Sequence, residues 1–474
     1  MVFSSALFLL YFFPIFFLAY FSVPTNFKNA FLLFASILFF AWGAPIFTGF
    51  VLLSIIVDFF LVRQIFNASG KRRKVFLFLS IFFNLALLAY FKYANFFVEN
   101  VNGLVSNWGA NGIVGWKDVI LPIGISFFTF KKISYTVDVY RNTHAPFKSI
   151  VNYSLFTLLF PELVAGPIVC FNEIADQITD SKAQETIDNK LLGLFRFIIG
   201  LSKKVLIANV LGTEVDKIFD SNILELSTPI AWLGILAYTF QIYFDFSGYS
   251  DMAIGLAKMM GFTFPENFDN PYTAKSITEF WRKWHITLGN WMRDYLYIPL
   301  VGNKVVAYRV YFNLFVVFFL SGLWHGASWN FIVWGCFHGL FLIADRLFLL
   351  KFYATIGKIP SILITFFLVM MGWIFFRADD MSDACAYFYK LFCFDFSTTT
   401  FLFLNDFYVL MLIAVIFSFG GILTPFLKLQ QSILFGNYNG SKTIAVSLLC
   451  IGLLIISISG ILGGGFNPFI YYRF

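Results

Sequence analysis

Charge is scarce in this chain: Asp, Glu, Lys and Arg together make up 12% of its 474 residues. An average soluble domain carries about twice that share, so a water-covered globular surface is excluded. Cysteine is also rare, with five residues at 170, 336, 385, 393 and 450. None forms a Cys-x-x-Cys pair and three lie in strongly apolar sequence, which argues against a disulfide framework or a zinc site. The chain has no His-Glu-x-x-His, no Gly-x-Ser-x-Gly elbow and no phosphate-binding loop, so zinc-peptidase, hydrolase and nucleotide-triphosphatase readings lose their usual anchors. No internal repeat is evident. The apolar segment 3–21 lacks the basic start and small-residue cleavage site of a secretory signal and is expected to remain as a helix.

What the chain has instead is hydrocarbon. Hydrophobic residues reach 59%, aromatic residues 21% with 68 Phe, and the mean hydropathy is +0.79. A membrane-crossing helix needs roughly 20 mainly apolar residues, and the long apolar runs between positions 3 and 463 predict about ten to twelve crossings. The expectation is an all-α polytopic membrane protein, a single integral domain over 1–474. Within it, 1–120 holds N-terminal spans, 121–380 the motif-bearing core and 381–474 C-terminal spans. The formal charge of +7 sits in short connectors, where it fits the positive-inside bias and contact with anionic membrane lipids, and not a nucleic acid partner.

Lys71-Arg-Arg-Lys74 is the sharpest orientation signal and predicts a cytoplasmic loop between the runs 46–62 and 75–91. Counting back places the N-terminus outside. Counting forward places the polar stretch 98–119 outside and 141–148 inside. The segment 151–171 carries Pro161, Glu162, Gly166 and Pro167 in its middle, so it is expected to be re-entrant or packed within the protein. Runs 191–212 and 229–246 read as a crossing pair. The longest polar interruption, 265–309, is rich in Lys and Arg and is expected on the cytoplasmic side. Within it Ser276-x-x-Glu279 predicts a capped helix running through Leu288, with Trp281, Trp284 and Trp291 at headgroup depth.

Four histidines are present: His144, His285, His325 and His338. His325 lies in Ser321-Gly-Leu-Trp-His-Gly-Ala-Ser-Trp-Asn330, inside an apolar run between Arg309 and Arg346. A buried imidazole loses its hydration, so a chain keeps one there for a cavity, a water file or a hydrogen-bonding partner. The competing reading is a satisfied packing histidine. An arm over 310–321 rises about 18 Å against a hydrocarbon core of roughly 30 Å, which predicts a hairpin with His325 at its tip inside the bilayer. Gly322 and Gly326 would admit a close approach, and Trp324 and Trp329 would wall a tunnel. His144 sits in a polar connector and reads as a surface residue. His338, about 140° from His325 on a continuous helix, reads as a helix-packing hydrogen bonder. A neutral imidazole suits one task well: taking a proton from a hydroxyl or thiol while an acyl group changes carriers.

Phe280-Trp-Arg-Lys-Trp-His285-Ile-Thr-Leu, Arg293-Asp-Tyr-Leu-Tyr-Ile-Pro-Leu300 and Gly322-Leu-Trp-His325-Gly-Ala-Ser-Trp-Asn330 resemble the signature of the membrane-bound O-acyltransferase family. Leu121-Pro-Ile-Gly-Ile-Ser-Phe-Phe-Thr-Phe130, Val164-Ala-Gly-Pro-Ile168 and Gln241-Ile-Tyr-Phe-Asp-Phe-Ser-Gly-Tyr-Ser-Asp251 fit its subgroup of bacterial alginate, peptidoglycan and cellulose O-acetylation. The resemblance covers roughly 120 to 380. It implies a bundle of about eleven spans with re-entrant and interfacial helices around a central tunnel, His325 as catalytic histidine and His285 as its second. It further implies an acetyl group drawn from a cytoplasmic thioester, acetyl-CoA, and passed to a periplasmic or membrane-anchored acetyltransferase partner in the bacterial inner membrane. No tightly bound cofactor or metal is expected. Arg282, Lys283 and Arg293 are candidates for the coenzyme's phosphates, with lipid-headgroup anchoring as the alternative. D-alanyl transfer to teichoic acid, and a transporter using Asp58, Glu162, Asp245 and Asp251 as path-lining groups, remain the other readings.

Overall fold

A computed structural model describes residues 2–108, 112, 115–180, 185–300, 302, 304–397, 401–436, 440–464 and 468–470. Parts of the stretches 98–119, 172–190 and 265–309, and of the C-terminal spans, lie outside these. Among the described residues there is no strand, only helices joined by short connectors and one isolated β-bridge, Phe268 with Trp284. Among the described residues, seven helices are long and apolar enough to cross a membrane, or eight if the bent pair Phe407–Ile422 and Thr424–Phe435 is one span. The expected eleven is therefore not reached by length and composition alone, because several expected spans carry charges or breaks.

The chain divides into two compact units. One comprises Leu7–Thr186 with Met260–Phe264, the other Val2–Ala6, Ile187–Met259 and Pro265–Phe474. In the first, α1 (Phe13–Ser22), α2 (Lys28–Gly43), α3 (Pro45–Asn67), α4 (Gly70–Asn107), α5 (Ile125–Arg141), α6 (Ile150–Leu158) and α7 (Phe171–Thr179) pack together. Only 17% of the apolar window of α4 is buried. A helix so apolar and so exposed is stable only against lipid. The segment 151–171 is a short helix followed by a 3-10 turn at Phe160–Glu162, with Tyr153, Phe160 and Glu162 buried. It packs inside its unit as expected.

Buried acids in this unit are closed into networks. Asp58 accepts hydrogen bonds from Ser80 at 2.6 Å, Asn84 at 2.8 Å and Tyr153. Glu162 pairs with Lys131. In the second unit Asp245 pairs with Lys204 at 2.7 Å, and Asp251 with Arg196 and Lys203. Burying a charge is tolerable where a counter-charge and hydrogen bonds satisfy it. These acids therefore read as structural pairs, and not as the open row of a permeation path.

The second unit is built on α8 (Ile187–Ser202), α9 (Asn209–Phe219), α10 (Thr228–Met259), α11 (Ile277–Lys283), α12 (Ile286–Met292), α13 (Ala307–His325), α14 (Trp329–Ala344), α15 (Leu350–Ile356), α16 (Lys358–Arg377), α17 (Met381–Phe392), α18 (Phe407–Phe419), α19 (Thr424–Phe435) and α20 (Gly440–Gly463). Two glycine contacts set its geometry. A Cβ on Gly200 would stand 2.5 Å from the Gly248 carbonyl oxygen, so α8 and α10 touch backbone to backbone. Likewise a Cβ on Gly322 would stand 2.3 Å from the Phe331 carbonyl oxygen, which locks α13 against α14. Small residues permit this approach where lipid supplies no hydrophobic drive between helices.

The α13–α14 hairpin turns at 326–328, inside the expected 322–330. Its first arm, however, runs for 19 residues from Ala307 and rises about 28 Å. The arm is nearly as long as the hydrocarbon core is thick, so its length does not confine His325 to mid-bilayer depth. The helix exceeds the expected arm 310–321 by seven residues, because it starts at Ala307 and continues through His325.

Candidate active site

The expected helix through Leu288 is broken. Ser276 caps α11 by accepting the Glu279 N–H at 3.1 Å, while the Glu279 carboxylate reaches the Lys275 N–H at 3.0 Å. Then the chain turns: His285 adopts φ 46°, ψ 52°, the left-handed region, and α12 restarts at Ile286. That conformation costs a non-glycine residue roughly 1–3 kcal/mol and persists where surroundings over-determine it. Here the surroundings are the segment 266–270, which runs alongside. The Asp269 N–H donates to the Lys283 carbonyl at 2.9 Å, and the Ile286 N–H to the Asn267 carbonyl at 3.0 Å. Trp284 and Trp291 are 2% and 6% exposed, so they pack inside the protein and do not face lipid.

His285 is buried, with Nδ1 3.1 Å from Asn267 Oδ1 and its ring edge-on to Phe246 at 4.7 Å. Burial, and secondly the neighbouring His325, hold its imidazole well below the ordinary histidine range. It is therefore neutral at physiological pH.

His325 ends α13. Its Nδ1 lies 2.7 Å from the Ser321 carbonyl oxygen, one turn back. A carbonyl only accepts, so Nδ1 carries the proton and Nε2 is the basic nitrogen of the neutral ring. Trp324 contacts both histidines, its ring 5.0 Å from that of His325 and 6.2 Å from that of His285. Trp334 and Phe376 complete the wall around His325, at 4.8 and 5.5 Å. Gly326 is required beside them, since a Cβ there would fall 2.1 Å from the Phe331 ring. Trp329, expected to wall the same space, is 55% exposed.

His338 does not play its expected part. It is fully buried, and among the described residues neither ring nitrogen has a hydrogen-bond partner. The rings of Trp281 and Trp334, each 5.0 Å away, enclose it. His144 is half-exposed against Phe171, consistent with a surface role.

The residues expected to hold phosphates are placed elsewhere. Arg282 and Arg293 are exposed, Arg293 forming a two-point pair with Asp294 at 2.7 and 2.8 Å. Lys283 pairs with Glu279 at 3.0 Å. None of the three lines the cavity that reaches Asn267, the hydrogen-bond partner of His285, a space of about 360 Å³ among α8, α10, α19 and the segment 266–270. The cations there are Arg196 and Lys203. Arg196 grips Asp251 at 2.7 Å and Glu266 at 2.5 Å, and Lys203 holds the other Asp251 oxygen at 2.6 Å. Leu427, Leu434 and Phe435 give the cavity an apolar side. The sequence reading missed this site, although Gly193 and Gly200 on one helix repeat at the same seven-residue interval as Arg196 and Lys203. Seven residues is two helical turns, which puts the glycines along one face and the cations along another.

A family model of the membrane-bound O-acyltransferases matches residues 75–377. This chain belongs to that family. The matched segment contains both histidines and nearly the whole of the second unit's site, and the enzyme is an acyltransferase. A probable alginate O-acetylase of Azotobacter vinelandii is 42% identical over 399 residues, 83% of this chain and 78% of the relative. A peptidoglycan O-acetyltransferase of Helicobacter pylori is 38% identical over 424 residues, covering 81% and 78%. A teichoic acid D-alanyltransferase of Streptococcus thermophilus is 29% identical over 260 residues, covering 50% and 60%. The likeness is thus wider than 120–380 and takes in the N-terminal spans from residue 75.

Proposed function

We propose that this acyltransferase moves an acetyl group from a cytoplasmic thioester, acetyl-CoA, into O-acetylation of an extracytoplasmic polysaccharide of alginate or peptidoglycan type. It works in the bacterial inner membrane beside a periplasmic or membrane-anchored acetyltransferase. The observation that carries the reading is that two buried imidazoles pack against the one indole of Trp324, with His325 fixed through Nδ1 to Ser321. His325 is the catalytic base. Its Nε2 takes the proton of the acceptor hydroxyl as that oxygen bonds to the acetyl carbon; the carbon–sulfur bond breaks, and the proton passes to the leaving thiolate. Atoms and charge balance without a metal or an oxidant.

His285, held neutral by burial, is the second polar group of the site. The cavity that reaches Asn267 beside it suits the uncharged amide arm of the coenzyme better than its phosphates. Two lining cations, Arg196 and Lys203, face three lining acids, Asp251, Glu266 and Asp269, so the net lining charge is 2 − 3 = −1. The greater identity to O-acetylating relatives than to the D-alanyltransferase favours acetyl over D-alanyl. Complementing a deletion strain with His325→Ala tests the proposal: envelope O-acetyl content should stay at the deletion level while the variant accumulates in the membrane at normal abundance. Normal ester content would overturn it.

A further inference from the structure

Asn267 both lines the cavity and hydrogen-bonds His285. Its side chain is wholly buried, and its orientation is settled by its neighbours. The Thr287 backbone N–H, which can only donate, points at Oδ1 at 3.3 Å, and the Thr287 hydroxyl donates to the same oxygen at 2.9 Å. On the other side Nδ2 donates to Ser250 Oγ of α10 at 3.0 Å. The amide oxygen therefore faces His285 Nδ1, and a carbonyl oxygen opposite a ring nitrogen demands an N–H there. A neutral imidazole has one such proton.

We infer that Asn267 is a positioning residue that selects the Nδ1–H tautomer of His285 and so presents Nε2 as its basic nitrogen. The inference rests on the reading of His285 as part of the acyl-transfer site. Ser250 and Thr287 act through Asn267: they hold its amide against rotation, and with the backbone bond from Ile286 they keep the ring in its left-handed turn. His285 and His325 thereby share one tautomer by different means, a distant amide for one and its own helix for the other. The titratable group whose charge acts on His285 is His325 of α13.

With four histidines in the chain, nitrogen-15 histidine labelling of the full protein in nanodiscs gives a spectrum simple enough to read. The His285 resonances are those missing from His285→Gln. Expected in the wild type is a protonated Nδ1 and an unprotonated Nε2 for His285; in Asn267→Leu these move toward the average of two exchanging tautomers, and thioester-dependent acetyl transfer falls at least tenfold. A wild-type His285 protonated at Nε2, or an unchanged pair in Asn267→Leu, overturns the inference.

Should Asn267→Leu fail to fold, Asn267→Asp keeps the acceptor and adds a negative charge. The His285 titration midpoint and the acid limb of turnover should then both move up by about one pH unit, and an unmoved midpoint overturns the inference. If tautomer and midpoint respond as expected but His285→Gln transfers acetyl at the wild-type rate, it is the catalytic reading of His285 that fails. If His285→Gln is inactive and the tautomer ignores Asn267, only the positioning role fails.

Discussion

His325 and His285 occupy opposite kinds of setting. His325 is held by its own helix: its Nδ1–H donates a hydrogen bond to the Ser321 carbonyl one turn back, and the glycine contact at Gly322 fixes the helix beneath it. His285 is held by a segment eighteen residues away in sequence, through Asn267, and sits in a backbone conformation that its own chain does not favour. One position is local and cheap to maintain; the other depends on several long-range bonds. A locally held group is robust and tuned by helix packing, whereas a remotely held one can be displaced by changes that never touch it.

The strongest way to break this comparison is to remove each ring in turn. His325→Ala removes the base and should lower acetyl transfer by roughly a thousandfold, within the range that general-base catalysis supplies. His285→Ala should cost less, roughly tenfold to a hundredfold, because it removes a second basic nitrogen and leaves the base at His325 in place. Transfer rates from labelled acetyl-CoA with the purified protein measure both. Equal losses would mean that the two rings act as one unit, and a larger loss at His285 would reverse their roles.

Next in size is the scaffold beneath His325. Gly322→Val places a branched side chain where even a Cβ lies 2.3 Å from a carbonyl oxygen, so α13 and α14 must separate. Overpacking of this kind costs about 1–3 kcal/mol. The variant should melt several degrees lower in detergent and lose transfer activity in proportion to the misplacement of His325. Unchanged melting and activity would show that the helix holds His325 without its partner.

The same contrast explains what the sequence disclosed. His325 stood out because an imidazole inside an apolar run is expensive, and that cost is visible in the run itself. The turn beside it was legible from Gly322 and Gly326, and the all-α membrane character from the repeated apolar stretches. Asn267 gave no signal, since an asparagine in a polar connector is ordinary until its partner is known. The break at His285 was hidden for the same reason: the capping box and the aromatic periodicity both favour a continuous helix, and only the pairing of 267 and 269 with 283 and 286 interrupts it. Arg196 lay inside a run that reads as a crossing, so its charge looked like an imperfection of a span and not the wall of a cavity.

The smallest effect is expected from the cations that the sequence favoured. Arg282 and Arg293 are exposed, and the pair that Arg293 makes with Asp294 stands in solvent or among headgroups. Exposed pairs are worth about 0–1 kcal/mol. Arg282→Gln and Arg293→Gln should therefore change the apparent KM for the thioester by less than about twofold. Lys203→Gln provides the contrast. It strips one of two partners from Asp251, which is buried at the cavity wall, and leaves that carboxylate to Arg196 alone. Loss of one member of a buried pair is far more costly than loss of a surface one, so KM should rise at least tenfold. A large effect at Arg282 or Arg293 with none at Lys203 would move donor recognition from the cavity to the exposed face of α11 and α12, and would show that the remotely assembled half of the site serves His285 alone.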